Sequence, residues 1–88
     1  MSSQPDHDTL YARVRQIRRE VYGEQGIPLL AEALGIPLRT WENFEAGVAI
    51  PGPLLLEFLV VTNVNALWLL RGEGEPYLGR SSEQKSAN

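Results

Sequence analysis

The 88 residues contain no cysteine. Disulfides and thiolate metal sites are thereby excluded, a usage that suits a reducing compartment. Histidine occurs once, as His7 in a polar N-terminal stretch, which leaves acid–base or imidazole-ligated metal chemistry almost without donors. The charge run Glu73-Gly74-Glu75 reads as a solvated turn, because no third oxygen ligand is spaced for a metal. No strand pattern precedes a glycine-rich loop, so a phosphate cradle is not indicated. These shortages argue against an enzyme and against a cofactor. No apolar run approaches the ~18 residues of a membrane span, and the N-terminus lacks the apolar stretch of a signal peptide; a cytoplasmic protein without membrane contact is expected. Positive charge is scarce too. Eight Lys and Arg stand against eleven Asp and Glu, for a net charge of −3. That balance disfavours strong nonspecific binding to nucleic acid, which rests on phosphate neutralisation. A concentrated basic face remains possible, since four of the seven arginines (Arg13, Arg15, Arg18 and Arg19) fall in one predicted helix.

What is present is helical periodicity. Hydrophobic residues make up 43% of the chain, enough for one small core in a domain of this length. Met1 to His7 read as a flexible arm, 8–78 as the domain, and 79–88, with almost nothing apolar, as a disordered tail. Asp8 or Thr9 caps a first helix that runs to about Tyr22, with Leu10, Val14, Ile17 and Val21 as its buried stripe. The organising stretch runs from Leu30 to Gly47. Leu30, Ala31 and Leu34 share a helix face; Gly35 can take the left-handed conformation that ends a helix. Pro37 suits the start of the next helix. Trp41 and Phe44 then continue the buried face, three residues apart. Helix 2 is expected to begin near Ile27-Pro28 and helix 3 near Leu38. Helix 4 spans Leu54 to about Asn63 after Gly52-Pro53, with Leu55, Phe58, Leu59 and Thr62 inward and Leu56 and Val60 outside the stripe. Asn65 caps a fifth helix, Ala66 to Arg71, which Gly72 stops. The whole pattern is a compact all-α domain of five helices. Two short helices joined by a glycine turn form the helix-turn-helix unit, whose second helix can enter the DNA major groove or serve as plain packing.

The run Leu30-Ala31, Leu34-Gly35-Ile36, Thr40-Trp41, Phe44-Glu45-Ala46-Gly47 and Pro51 resembles the lambda-repressor-like family of bacterial and phage regulators, of the Cro/repressor or xenobiotic-response-element type. Asn65 to Gly74 is similar to the end of that domain in phage-type repressors, so the likeness covers about residues 10–77. It implies a sequence-specific transcriptional regulator that binds double-stranded DNA as a homodimer. It also implies a structural ion pair between Arg18 and Glu45. On this reading Leu38, Arg39, Glu42 and Asn43 face the bases. Arg39 can bridge guanine O6 and N7, Asn43 can pair with adenine, Leu38 can pack on a thymine methyl, and Glu42 can accept from cytosine N4 or orient Arg39, or be a solvated helical residue. Gln25, Thr40, Arg13, Arg15 and Arg19 are the candidate backbone contacts. Leu56, Val60 and Leu67 are the candidate dimer interface.

The chain also departs from that pattern. Gly26 and Ile27 replace the polar Thr-Gln with which many members begin helix 2, and Val48-Ala49-Ile50 replace a basic loop. Ile27, Leu29, Leu38, Val48 and Ile50 make the expected DNA face partly apolar, and exposed apolar patches more often mark protein interfaces. The alternative is therefore a protein–protein interaction module that keeps the scaffold without binding DNA.

Overall fold

The computed structural model describes residues 9–77. The arm expected over 1–7 and the tail expected over 79–88 lie outside the described residues. Five α-helices occur in the order α1 (Leu10–Tyr22), α2 (Ile27–Leu34), α3 (Leu38–Glu45), α4 (Gly52–Thr62) and α5 (Ala66–Arg71), with no strand among the described residues. The all-α five-helix expectation holds. No helix of the described residues is long and apolar enough to cross a membrane.

Helix boundaries follow local chemistry closely. Of the two candidate caps for α1, Thr9 serves: its hydroxyl accepts from the Ala12 N–H at 3.1 Å. Gly35 has φ 71, ψ 33, and the chain turns there with Gly35 N–H on Glu32 O at 3.1 Å and Ile36 N–H on Ala31 O at 3.0 Å. This pairing satisfies carbonyls at the helix end, and the left-handed conformation is why glycine stands at that point. Pro37, at φ −66, then presents its carbonyl to the Thr40 N–H at 3.0 Å and opens α3. Gly26 is needed for a different reason. A Cβ there would lie 2.1 Å from the Tyr22 carbonyl oxygen, so only glycine lets α2 start this close to the end of α1. α4 begins two residues earlier than expected, at Gly52, because Pro51 occupies the cap position and accepts from both Leu54 and Leu55 N–H at 3.0 Å.

The core forms around Trp41. Its ring stacks on Phe58 of α4 (centroids 5.2 Å, 19° between planes) and meets Phe44 edge-on (5.6 Å, 85°). Val14, Ile17, Leu30, Phe58 and Leu69 are fully buried around it, with Ala31 at the crossing of α2. α1 packs on each of the other four helices. Buried Thr62 turns its hydroxyl back onto Phe58 O at 2.6 Å, which satisfies the group without a distant partner. Val21 is a correction: it lies on the predicted inner face of α1 yet is 42% exposed. Facing inward near a helix end does not guarantee a neighbour to cover the side chain.

The segment after α5 folds back. Asn65 caps α5 through Leu67 N–H at 3.2 Å while its side-chain amide donates to Glu75 O at 2.8 Å. The Asn65 N–H donates to Pro76 O at 2.6 Å, and the Tyr77 hydroxyl bonds Glu20 of α1 at 2.7 Å. Tyr77 thus packs toward α1 and leaves Leu56 and Val60 uncovered, at 64% and 73% exposure.

Candidate functional site

α3 is held by its inner face. Trp41 and Phe44 are buried, and Glu45 sits beneath them in a polar network. Arg18 of α1 grips Glu45 with two parallel hydrogen bonds, Nε to Oε2 and Nη2 to Oε1, each 2.8 Å. Its remaining nitrogen, Nη1, donates to Gly23 O and Glu24 O, each at 2.9 Å. The Trp41 indole N–H donates to Glu45 Oε2 at 2.6 Å. One arginine therefore ties α1, α3 and the loop before α2 into a single unit. No buried side-chain nitrogen or oxygen among the described residues lacks a partner. A fork of this kind fixes orientation, which is the best-supported role of a buried ion pair. Burial disfavours charge on Glu45, but the hydrogen bonds from Arg18 and Trp41 and the positive charges of Arg18 and Arg15 outweigh it, so its pKa lies below the ordinary glutamate value. The hydrogen bond to Glu45 raises the Arg18 pKa despite desolvation.

The ion pair was expected from the resemblance. The indole bond and the two loop carbonyls were not, and nothing in the sequence spacing signals them beyond the i, i+4 relation of Trp41 and Glu45.

With its inner face so anchored, α3 turns Leu38, Arg39, Glu42 and Asn43 to solvent, while Thr40 is half-buried. The four candidate base-facing residues thus share one exposed surface. Arg39 makes no ion pair among the described residues. Gln25 is exposed and lines, with Glu24, Ile27, Pro28, Leu38 and Glu42, an open pocket between the start of α2 and the start of α3.

The arginines of α1 are distributed differently from the expectation. Arg13 requires a correction: it is 8% exposed, and its guanidinium donates from Nε to Leu69 O at 2.8 Å and from Nη2 to Leu70 O at 3.3 Å. It satisfies carbonyls near the C-terminal end of α5, where positive charge is favoured, and is not a free phosphate contact. Arg15, a candidate backbone contact, lies against the body. It is half-buried, with Nη1 3.4 Å from Glu45 O. Arg19 is exposed and pairs with Glu24 at 3.4 Å, and Arg71 pairs with Glu73 at 3.3 Å. Of the described arginines, only Arg39 is both exposed and without a carboxylate partner.

A second surface is apolar. Leu56 and Val60 project from α4 one turn apart, and Leu67 and Leu70 of α5 are 49% and 46% exposed. No group of three or more His, Cys, Asp or Glu side chains among the described residues is placed to hold a metal ion. Protein-family models, curated proteins and solved structures provide no match to this chain.

Proposed function

We propose that this protein is a sequence-specific DNA-binding transcriptional regulator of prokaryotic or phage repressor type, cytoplasmic and without a cofactor, whose α2 and α3 act as the helix-turn-helix of a lambda-repressor-like domain. The observation that carries the reading is the contrast within α3. Its inner face is locked by Trp41, Phe44 and the Arg18–Glu45 fork, while Leu38 and Arg39 at its N-terminal end and Glu42 and Asn43 one turn on are exposed on its outer side. A recognition helix needs this combination, because bases are read by side chains near the helix start held in fixed register. Arg39 is the principal reader, bidentate to guanine, and Asn43 the adenine partner. Thr40, Gln25 and Arg15 are the backbone contacts, with Arg19 joining them only by leaving Glu24. Two copies meet through Leu56, Val60 and Leu67, which sets two copies of α3 about one helical turn apart on a two-fold operator.

Selection of full-length protein against a randomised duplex pool at low salt tests the reading. A two-fold related motif should be enriched. Enrichment of nothing by well-folded protein overturns it.

One observation favours a second reading. The same surface carries exposed Leu29, Leu38 and Val48 and few free cations, a composition closer to a protein interface than to a phosphate surface. On that reading the scaffold binds a protein partner, and the duplex selection fails.

A further inference from the structure

The pocket between α2 and α3 shares Gln25, Leu38 and Glu42 with the DNA reading and adds Glu24, Ile27 and Pro28, which that reading does not use. It is open and small, about 240 Å³, with Ile27, Pro28 and Leu38 as apolar walls and Glu24, Gln25 and Glu42 as polar ones. Its volume falls below the ~300–1,000 Å³ of sites that enclose small-molecule ligands, and is suited to a single inserted side chain.

Charge selects which side chain. The two helix starts at the pocket each contribute at most about half a positive charge, whereas Glu24 and Glu42 are full negative charges. Arg19 offsets Glu24 at 3.4 Å, and Glu42 has no cation paired to it among the described residues. An anion is therefore disfavoured. An alkyl stem lying on Ile27, Pro28 and Leu38 with a positive head at Glu42 satisfies both halves of the lining, the arrangement in which arginine and lysine ordinarily bury their stems. A guanidinium fits better than an ammonium, because its planar fork can meet the Glu42 carboxylate with two hydrogen bonds and leave a further N–H for the Gln25 amide oxygen.

We propose that this pocket receives an arginine side chain from a protein partner. The proposal does not rest on the DNA reading. A partner seated there covers Leu38 and Glu42, so the partner and a duplex cannot occupy the surface together.

The test is titration of full-length, nitrogen-15-labelled protein with the peptide acetyl-AAARAAA-amide, followed by amide chemical shifts. The expected result is saturable shifts centred on Glu24, Gln25, Ile27, Leu38 and Glu42. Replacing the peptide's arginine with neutral citrulline should weaken binding at least as much as removing the Glu42 charge. Glu42→Gln should weaken binding roughly two- to fivefold, the worth of an exposed ion pair. Being a surface change, it should leave the remaining spectrum unchanged and so report on the pocket alone. Absence of saturable shifts, citrulline binding as tightly as arginine, or equal binding of free agmatine, which would make the site one for a small guanidine, each overturns the proposal.

Discussion

α3 and α4 touch through the stack of Trp41 on Phe58 and differ in almost everything they show to solvent. α3 turns out Arg39, Glu42 and Asn43, with Leu38 as its one large apolar residue. α4 is apolar nearly all round, with Glu57 its only charged residue, and turns out Leu56 and Val60. The core asks only that each helix supply one apolar face. The outer faces are unconstrained by folding, so their contrast points to ligands: polar groups in register on α3, and a second apolar surface on α4. Four measurements break or sharpen that contrast.

The largest effect is at the shared contact. Trp41→Ala should destabilise the domain by roughly 3–5 kcal/mol, as large aromatic truncations in cores do. Both helices lose their common support, and the Glu45 carboxylate loses a donor. In so small a domain this is most of the total stability. A denaturant midpoint near the parent's would mean that the stack does not organise the core.

Next is the anchor that α3 has and α4 lacks. Removing one partner of a buried ion pair, as in Arg18→Met, should destabilise by about 3–5 kcal/mol, with the Glu24 carbonyl also left without its donor and the Gly23 carbonyl left with the Gly26 N–H alone. Replacing both partners by apolar residues should not restore the parent's stability, because the Glu24 carbonyl and the Trp41 N–H would lose their partners. The pH dependence follows from the lowered Glu45 pKa. A carboxylate whose folded pKa lies below its unfolded value contributes stability that is fully present above the unfolded value and is lost as pH falls through the folded one. Chemical denaturation across the acidic range should therefore show falling stability below the ordinary glutamate pKa. A profile flat through that range would remove the assignment.

The outer face of α3 should behave oppositely. Arg39→Ala should leave stability within about 0.5 kcal/mol and weaken binding to a selected duplex by about 1–3 kcal/mol, with base preference relaxed at one position. The salt dependence should be shallow, since log K falls with log salt at about 0.9 per neutralised phosphate and few described cations are free. Uniform loss across all sequences would make Arg39 a phosphate contact.

The smallest effect on stability, and the sharpest on mass, is expected at α4. Leu56→Glu combined with Val60→Lys should convert a dimer to a folded monomer in sedimentation equilibrium, at nearly unchanged monomer stability. An unchanged dimer mass would move the interface elsewhere, and a monomeric parent at high micromolar concentration would remove it.

Arg13 and Arg15 show where reading from a helical wheel stops. Both were candidate phosphate contacts; Arg15 keeps that place half-buried beside Glu45 O, whereas Arg13 bonds carbonyls 56 and 57 residues away. An arginine on the edge of an apolar stripe looks the same in sequence whether its long side chain reaches out to solvent or inward to a helix end. Val21 fails for the converse reason, since period alone cannot say which neighbour covers a position near a helix end. The exposed positions on α3 were legible because Trp41 and Phe44 fix the inner face, and three- and four-residue spacing then determines the outer one. The direction in which the chain folds back at Pro76-Tyr77 was not legible: bonds to Asn65 and Glu20 hold it toward α1, and Leu56 and Val60 of α4 stay exposed.

The sequence by itself determined the five helices, their caps at Gly35, Asn65 and Gly72, and the inward side of α3. These depend on interactions within a few residues, whose energies are set by residue type and local conformation. Tertiary structure alone decided the long-range polar partners. Arg13 was assigned to the end of α5, Nη1 of Arg18 to the loop before α2, and Glu24 and Glu42 to the lining of one pocket. A guanidinium or carboxylate at the end of a flexible stem takes its partner from whatever the packed helices bring within about 3 Å, and that proximity exists only once the core has closed around Trp41.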